Sequence, residues 1–244
     1  MTDRTILKLT GADRQSFLQG LVTNDVQSTD SGLIYAALLT PQGKYLADFF
    51  ILNRAEDTLI DVDASLAEGL AKRLMMYRLR ADVQIEVSDL KVFRGTGPAG
   101  DGDLQDPRHP ALGWRRYGAE AGDDGSDWDQ LRVEHLIPMT GVELVPNETY
   151  ILEAGFEALH GVDFRKGCYV GQEVTARMKH KTELKKGLAP VKVQGEAPIG
   201  TVITAGEKPA GTLYTQAGGA GIAYLRFDRA VGEMTAGDAA VTRK

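Results

Sequence analysis

The chain of 244 residues holds a single cysteine, Cys168, and only four histidines, His109, His135, His160 and His180, scattered without metal-ligand spacing. One thiol excludes an intramolecular disulfide framework, and the two scarcities together exclude a Cys-rich zinc or iron–sulfur cage within one chain. No stably bound metal is expected. Long apolar runs are also missing: the longest, residues 33–39, has seven residues, against the roughly 20 that a bilayer-spanning helix needs. Residues 1–15 are charged and lack the apolar core of a secretory signal. No membrane partner is expected, and the cytoplasm is the expected compartment. Positive charge is not in excess either. With 28 Lys and Arg against 34 Asp and Glu the formal net charge is −6, which argues against a dedicated nucleic-acid-binding protein.

What is present is the composition of a globular protein, 43% hydrophobic and 25% charged. At roughly 100–200 residues per domain the length suits one large domain or two modest ones. Thr10-Gly-Ala-Asp13 reads as a turn and helix N-cap, followed by Phe17, Leu18 and Leu21 at helical spacing. Residues 33–39 and 45–52 read as strands joined by Thr40-Pro41-Gln42-Gly43, in which Pro presets φ and Gly tolerates a positive φ. Residues 58–63 alternate as a third strand. Ser65-x-x-Glu68 reads as a capping box for a helix whose Leu66, Leu70, Leu74 and Tyr77 form one apolar stripe. Val83, Ile85 and Val87 alternate again. Strands and helices intermix as in an α+β body.

Between residues 95 and 129, glycines, prolines and eight acidic residues predict loops and a solvated acidic surface, with one strand near residues 112–117. Residues 128–137 predict a helix stopped by Pro138. Beyond residue 184, β-rich runs at 188–193, 201–204, 212–215 and 222–227 alternate with glycine-containing turns and predict a small antiparallel barrel.

The stretch from Phe164 to Lys181 carries the most chemistry. Val170, Val174 and Met178 recur at helical spacing, so a helix beginning near Gly171 is expected, with Cys168 just ahead of it between Arg165, Lys166 and the helix N-terminus. A helix dipole and neighbouring cations both favour thiolate over thiol. Residues 165–186 hold seven Lys and Arg against two Glu, a net of +5, which suits a polyanion such as a polyglutamate tail, a phosphate or RNA. On residue type alone a cysteine reads as a small buried hydrophobe, and a basic helix face as merely solvated. The glycines that bracket Cys168 and the basic cluster around it make the reactive reading its equal.

The octapeptide Lys166-Gly-Cys-Tyr-Val-Gly-Gln-Glu173 resembles the signature of the YgfZ family, folate-binding proteins that are similar to the aminomethyltransferase (T-protein) of the glycine cleavage system. Four more blocks follow the family's order: Phe17-Leu-Gln-Gly-Leu-Val-Thr-Asn-Asp25, Leu39-Thr-Pro-Gln-Gly-Lys44 with Asp48, Tyr77-Arg-Leu-Arg80, and Arg132-x-Glu134 before Ile137-Pro138. The resemblance implies an α+β, T-protein-like fold with a C-terminal antiparallel β-barrel. Its folate-binding body of two intertwined portions would span residues 1–183 and the barrel residues 184–244. It implies tetrahydrofolate as the ligand, and a role in the maturation of [4Fe–4S] proteins, tRNA-modifying enzymes among them. The implied partners are iron–sulfur client or assembly proteins.

Carried over residue by residue, the resemblance makes Cys168 the reactive thiol and Trp128 the aromatic presented to the folate. Glu134, Arg78, Lys166, Gly167, Tyr169, Gln172, Glu173 and Arg177 complete the implied cofactor-binding set. The family's second, upstream aromatic has no counterpart in Arg4-Thr5-Ile6. T-proteins carry paired acids where this chain has Ala47-Asp48, and an acid in the block that here reads Leu112-Gly-Trp-Arg-Arg-Tyr117. A pterin's donor edge pairs with a carboxylate, so these departures point to a folate-binding accessory factor. The alternative is a tetrahydrofolate-dependent aminomethyl or one-carbon transferase with Asp48 as acid/base. A third reading is a binding module that uses the basic patch around Lys179, Lys181 and Lys185.

Overall fold

The structure, a computed structural model, describes residues 3–27, 32–181 and 183–244, with the side chain of Lys181 outside the description. Alternating strands in the first ninety residues pair into an antiparallel sheet. β1 (Arg4–Thr10) and α1 (Arg14–Gln19) are followed by β2 (Ile34–Leu39), β3 (Tyr45–Asn53) and β4 (Thr58–Asp63). Then come α2 (Ala64–Arg78) and β5 (Gln84–Ser88), and the sheet order is β2-β3-β4-β1-β5. One face is apolar: Leu7, Leu9, Leu38, Phe49, Ile51, Ile60 and Val62 pack with Leu18 of α1 and with Leu70 and Leu74 of α2. Each such side chain contributes about 1.5–3 kcal/mol relative to exposure.

The helix start differs from the expected capping box. Asp63 caps α2, its Oδ1 accepting from the Ser65 amide at 3.0 Å and the Ser65 hydroxyl at 2.5 Å. Glu68, expected to reach back to the cap, instead pairs with Lys72 one turn on. An aspartate directly before the first helical residue outcompetes a serine already inside it. Of the expected stripe, Leu70 and Leu74 are buried, whereas Tyr77 in the last turn is exposed.

The other face of the sheet is buried too, under β6 (Lys91–Gly95), β7 (Leu104–Gln105), β8 (Trp114–Gly118) and β9 (Gly122–Asp123), in the order β7-β8-β6-β9. Ile6, Leu52 and Leu59 meet Val92, Leu90 and Tyr117 there. The acid-rich stretch was expected to be a solvated surface; part of it turns inward because arginines from the same stretch neutralise it. Asp106 accepts from Arg108 Nη2 at 2.8 Å and from Arg115 Nε at 3.3 Å. Asp61, on β4, accepts from Arg4 Nε at 2.6 Å, Arg115 Nη1 at 3.1 Å and the Tyr117 hydroxyl at 3.1 Å. The guanidinium carbons of Arg115 and Arg108 lie 3.9 and 4.8 Å from the Phe50 ring centroid, within cation–π range.

α3 (Trp128–His135) and α4 (Gln172–Lys181) precede six strands: β10 (Lys186–Gln194), β11 (Thr201–Ala205), β12 (Lys208–Ala217), β13 (Ala220–Arg226), β14 (Glu233–Ala236) and β15 (Ala239–Arg243). These close into a barrel in the order β10-β13-β12-β11-β14-β15, filled by Val191, Ile203, Leu213, Leu225, Met234 and Val241. Four strands fall where the sequence pattern predicts them. The closing hairpin, β14 and β15, is too short and too mixed in polarity to show in that pattern. α3 lays Val133 on Ala220 and Ile222 of the barrel.

The chain forms two compact units, Met1–Ser126 with Glu157–Val174, and Asp127–Phe156 with Thr175–Lys244. The barrel begins close to the expected boundary at residue 184, but its unit also takes in α3 and the segment that follows it.

Burial works against the charge on Asp106, and Arg108 with Arg115 outweighs it, holding the carboxyl at about 2. A carboxyl held below its unfolded value stabilises the fold above that unfolded value and loses the contribution as pH falls through the folded one. Asp106→Asn is expected to cost about 3–5 kcal/mol near neutral pH by leaving Arg108 without its buried partner. Urea denaturation at stepped pH should show the gap from wild type narrowing by about 2 kcal/mol as pH falls from about 4 to about 2.

Candidate functional site

The octapeptide forms a loop pinned at both ends. Its first residue, Lys166, is buried, with Nζ donating to the carbonyls of Gln19 at 2.8 Å and Val22 at 2.5 Å. The ammonium thus satisfies carbonyls left over at the end of α1, and it lies 5.2 Å from the centroid of the buried Tyr169 ring. Burial pushes the Lys166 amine down to about 8, against the pull of Asp25 and Asp163.

At the other end Gly171 has φ +83°, and a Cβ there would lie 2.6 Å from the Thr40 carbonyl oxygen. Facing it, Gly43 has φ +75°, and a Cβ there would lie 2.9 Å from Cβ of Val174. The turn 40–43 therefore interlocks with the entry to α4, and only glycine fits at either contact. The turn is closed by its own bonds, Gly43 N to Thr40 O at 2.8 Å and Lys44 N to Thr40 Oγ1 at 3.1 Å.

Between these anchors Cys168 is exposed, four residues before the first residue of α4. Gln172 closes the loop, its amide donating to the Tyr169 carbonyl at 3.3 Å and its Nε2 to the Gly167 carbonyl at 3.5 Å. Gly167, Glu173 and Arg177 are exposed on the same segment. The cation expected beside the thiol is in part spent elsewhere: the Lys166 ammonium is turned inward onto backbone.

Asp48 is buried on β3, its two oxygens accepting from Tyr45 OH at 2.7 Å and Tyr35 OH at 2.9 Å. Burial, with the Asp48 carboxylate beside it, pushes the Tyr35 phenol well above its ordinary value. Arg78, exposed at the end of α2, donates to the Val83 carbonyl at 3.2 Å. Trp128 and Glu134 belong to the other unit. Trp128 is half-buried at the start of α3, and Glu134 is exposed, accepting from Gln130 Nε2 at 2.7 Å. The structure thus brings together the octapeptide and the turn 40–43, while Arg78 and Glu134 are engaged in their own local bonds.

In that second unit the sequence did not single out the buried Glu143. Glu143 accepts from Arg132 Nη2 at 2.6 Å and from Thr215 Oγ1 at 2.6 Å, while its Oε2 also accepts from the Met139 amide at 2.9 Å. Nothing in the spacing of Arg132, Glu143 and Thr215 signals the triad. Among the described residues no group of three or more His, Cys, Asp or Glu could hold a metal ion. No helix among them is long and apolar enough to cross a membrane.

Residues 185–244 match the family described as CAF17, C-terminal beta-barrel domain. The chain is 30% identical to the mouse (Mus musculus) mitochondrial iron–sulfur cluster assembly factor IBA57, over 95% of this chain and 78% of that protein. It is 31% identical to the mitochondrial IBA57 homolog of Mycosarcoma maydis over 77% of this chain, and the match spans 55% of that relative's length. Among solved structures it resembles the glycine cleavage system aminomethyltransferase T from Bartonella henselae, with a TM-score of 0.76 and 16% identity, covering 98% of this chain and 82% of that one. At that identity the likeness shows the fold alone: a T-protein-like α+β architecture with a C-terminal antiparallel barrel. The compartment in the relatives' names is the mitochondrion, which does not support the cytoplasmic expectation.

Gly171→Ala forces a side chain into a positive-φ position against the Thr40 carbonyl and is expected to cost more than about 1 kcal/mol. Unseating the loop should also change the rate at which iodoacetamide alkylates Cys168. For Lys166 the folded amine, near 8, lies below its usual 10.5. The unfolded chain therefore binds the extra proton, and stability contributed by this group rises with pH between those values. Thermal melts at stepped pH should show that rise in wild type and its loss in Lys166→Met.

Proposed function

Because the chain belongs to the IBA57 family of iron–sulfur cluster assembly factors, we propose that it assists the maturation of [4Fe–4S] proteins through the Cys168 thiol. The observation that carries this reading is an exposed cysteine held on a loop locked by glycine contacts at one end and a buried lysine at the other. A thiol presented in one fixed position suits ligand exchange. Cys168 gives up its proton, and the thiolate coordinates one iron of a cluster that is cargo. One thiolate cannot retain a [4Fe–4S] cluster, so the partner protein supplies the remaining ligands. Proteins with tRNA-modifying activity are among the clients proposed. The finer placement, with the YgfZ proteins, rests on the octapeptide.

Tetrahydrofolate is the proposed small-molecule ligand. The half-buried indole of Trp128 offers a flat surface suited to stacking on a pterin or aminobenzoyl ring. Lys166 is turned onto backbone carbonyls and is not carried forward as a folate contact, whereas Glu134, exposed with one bond from Gln130, stays in the proposed set. That Asp48 is buried and tied down twice favours the accessory role over the transferase, which would use this acid to move protons.

Cys168→Ser is expected to abolish rescue of [4Fe–4S] enzyme activity in a strain deleted for the gene, with the protein still folded by circular dichroism. Full rescue by the variant would remove the thiol from the mechanism. Folate binding is read by tryptophan fluorescence. Trp114, stacked on Phe93 and bonded through Nε1 to the Gly97 carbonyl, serves as the internal control. Saturable quenching by tetrahydrofolate should disappear in Trp128→Phe; quenching that persists there would place the ligand elsewhere.

A further inference from the structure

The end of α2 gathers large apolar side chains in water. Met75 is 50% exposed, Met76 77% and Leu79 87%. Leu79, directly after the helix, follows Met75 and Met76 by four and three positions, so the three cluster at the C-terminal end of α2, where Met75 and Met76 are turned away from the buried Leu70 and Leu74. Leu79 also has φ +46°, a region that costs a side-chain-bearing residue strain and suits glycine. The turn that holds it there is firmly bonded. Ala81 N donates to Arg78 O at 2.8 Å, the Arg78 side chain donates to Val83 O, and the Asp82 amide donates to Asp13 Oδ2 at 2.8 Å. The chain thus holds a strained leucine rigidly outward, where it contributes nothing to the core.

The charge beside the stripe is predominantly positive. Residues 69–81 contain Lys72, Arg73, Arg78 and Arg80 and no acid, in a chain whose net charge is −6. Lys72 is neutralised by Glu68. Arg73 and Arg80, both exposed, have no acidic partner among the described residues. Methionine and arginine are among the residues enriched at protein–protein interfaces, and thioethers adapt to varied apolar partners. Three apolar side chains are too few to hold a lipid surface, but they suffice as the centre of a protein interface with a cationic rim.

We propose that the stripe Met75–Met76–Leu79, rimmed by Arg73, Arg78 and Arg80, docks an amphipathic helix of a partner protein whose apolar face is flanked by carboxylates. The proposal deepens the assembly-factor reading by giving a location for the partner that such a role requires, and it rests on that reading.

The probe is a fluorescein-labelled synthetic peptide of about 16 residues, long enough to be helical, made of Leu, Ala and Glu with the leucines on one face. Anisotropy titration of the full chain should show saturable binding that weakens as salt is raised from about 0.05 to about 0.5 M. Leu79→Gly is the decisive variant, because it removes the side chain while placing glycine in a conformation glycine adopts freely. Its melting temperature should hold or rise while its affinity falls about tenfold, a combination that a structural role for Leu79 would not produce. Met76→Glu should weaken binding by at least as much. Cys168→Ser should bind the peptide as wild type does, so failure of the thiol reading and failure of docking are separable. Absence of peptide binding, wild-type affinity in Leu79→Gly, or equal binding of a Lys-for-Glu peptide or of phosphatidylglycerol vesicles would each overturn the proposal.

Discussion

A sheet covered on both faces has to neutralise every charge it buries, and here that requirement centres on Phe50. The row across the sheet runs from Tyr35 through Phe50 and Asp61 to Ile6, so one aromatic ring and one carboxylate occupy the middle of the second face. Arg4 and Arg115 converge on the carboxylate, and Arg115 and Arg108 lie against the ring. Such buried pairs add little net stability compared with apolar packing, and their removal one partner at a time is costly. Their effect is to specify position: Arg108 and Arg115 come from the segment that covers this face, and only one placement of it pairs both of them. The Tyr35 ring, 5.4 Å from Phe50, passes the constraint to Asp48, and thereby to the β2–β3 hairpin.

That hairpin matters because its turn is the seat of the cysteine loop. The inner face of β2 and β3 is held by the charge layer, the opposite face by the apolar core with α1 and α2, and the turn 40–43 projects from this clamped pair to meet Gly171. α1 meanwhile supplies the carbonyls that Lys166 holds. The thiol is thus positioned by groups more than a hundred residues upstream, through hydrogen bonds and close backbone contacts. The second unit follows the same logic on a smaller scale, with Arg132 of α3 joined to the barrel through Glu143 and Thr215.

Much of the architecture was legible in local pattern. Period-two alternation and turn residues located β2, β3 and β4, helical spacing located α2 and α3, and Val170, Val174 and Met178 announced α4. Glycine-punctuated β runs announced the barrel. What escaped depended on pairing across long sequence distances. Asp61 looks like a solvent-facing acid until arginines 54 and 57 residues away are brought to it. Ser65 looked like a cap because its spacing to Glu68 fits, although Asp63 was better placed. The octapeptide was legible as a unit, yet the part played by Lys166 was not, since a lysine beside a cysteine suggests an electrostatic neighbour and gives no hint of carbonyls at Gln19 and Val22. Glu134 attracted attention through the Arg132-x-Glu134 block, whereas Arg132 itself bonds to Asp129 and Glu143.

The solitary thiol has a consequence for redox chemistry. Cys168 is exposed and the chain has no second cysteine, so a sulfenic acid formed there has no internal thiol to condense with. Its return to the reduced state requires a thiol delivered by another molecule, and without one the oxidation proceeds to the irreversible sulfinic and sulfonic acids. Recovery from oxidant is consequently bimolecular: its rate follows the concentration of the surrounding thiol pool.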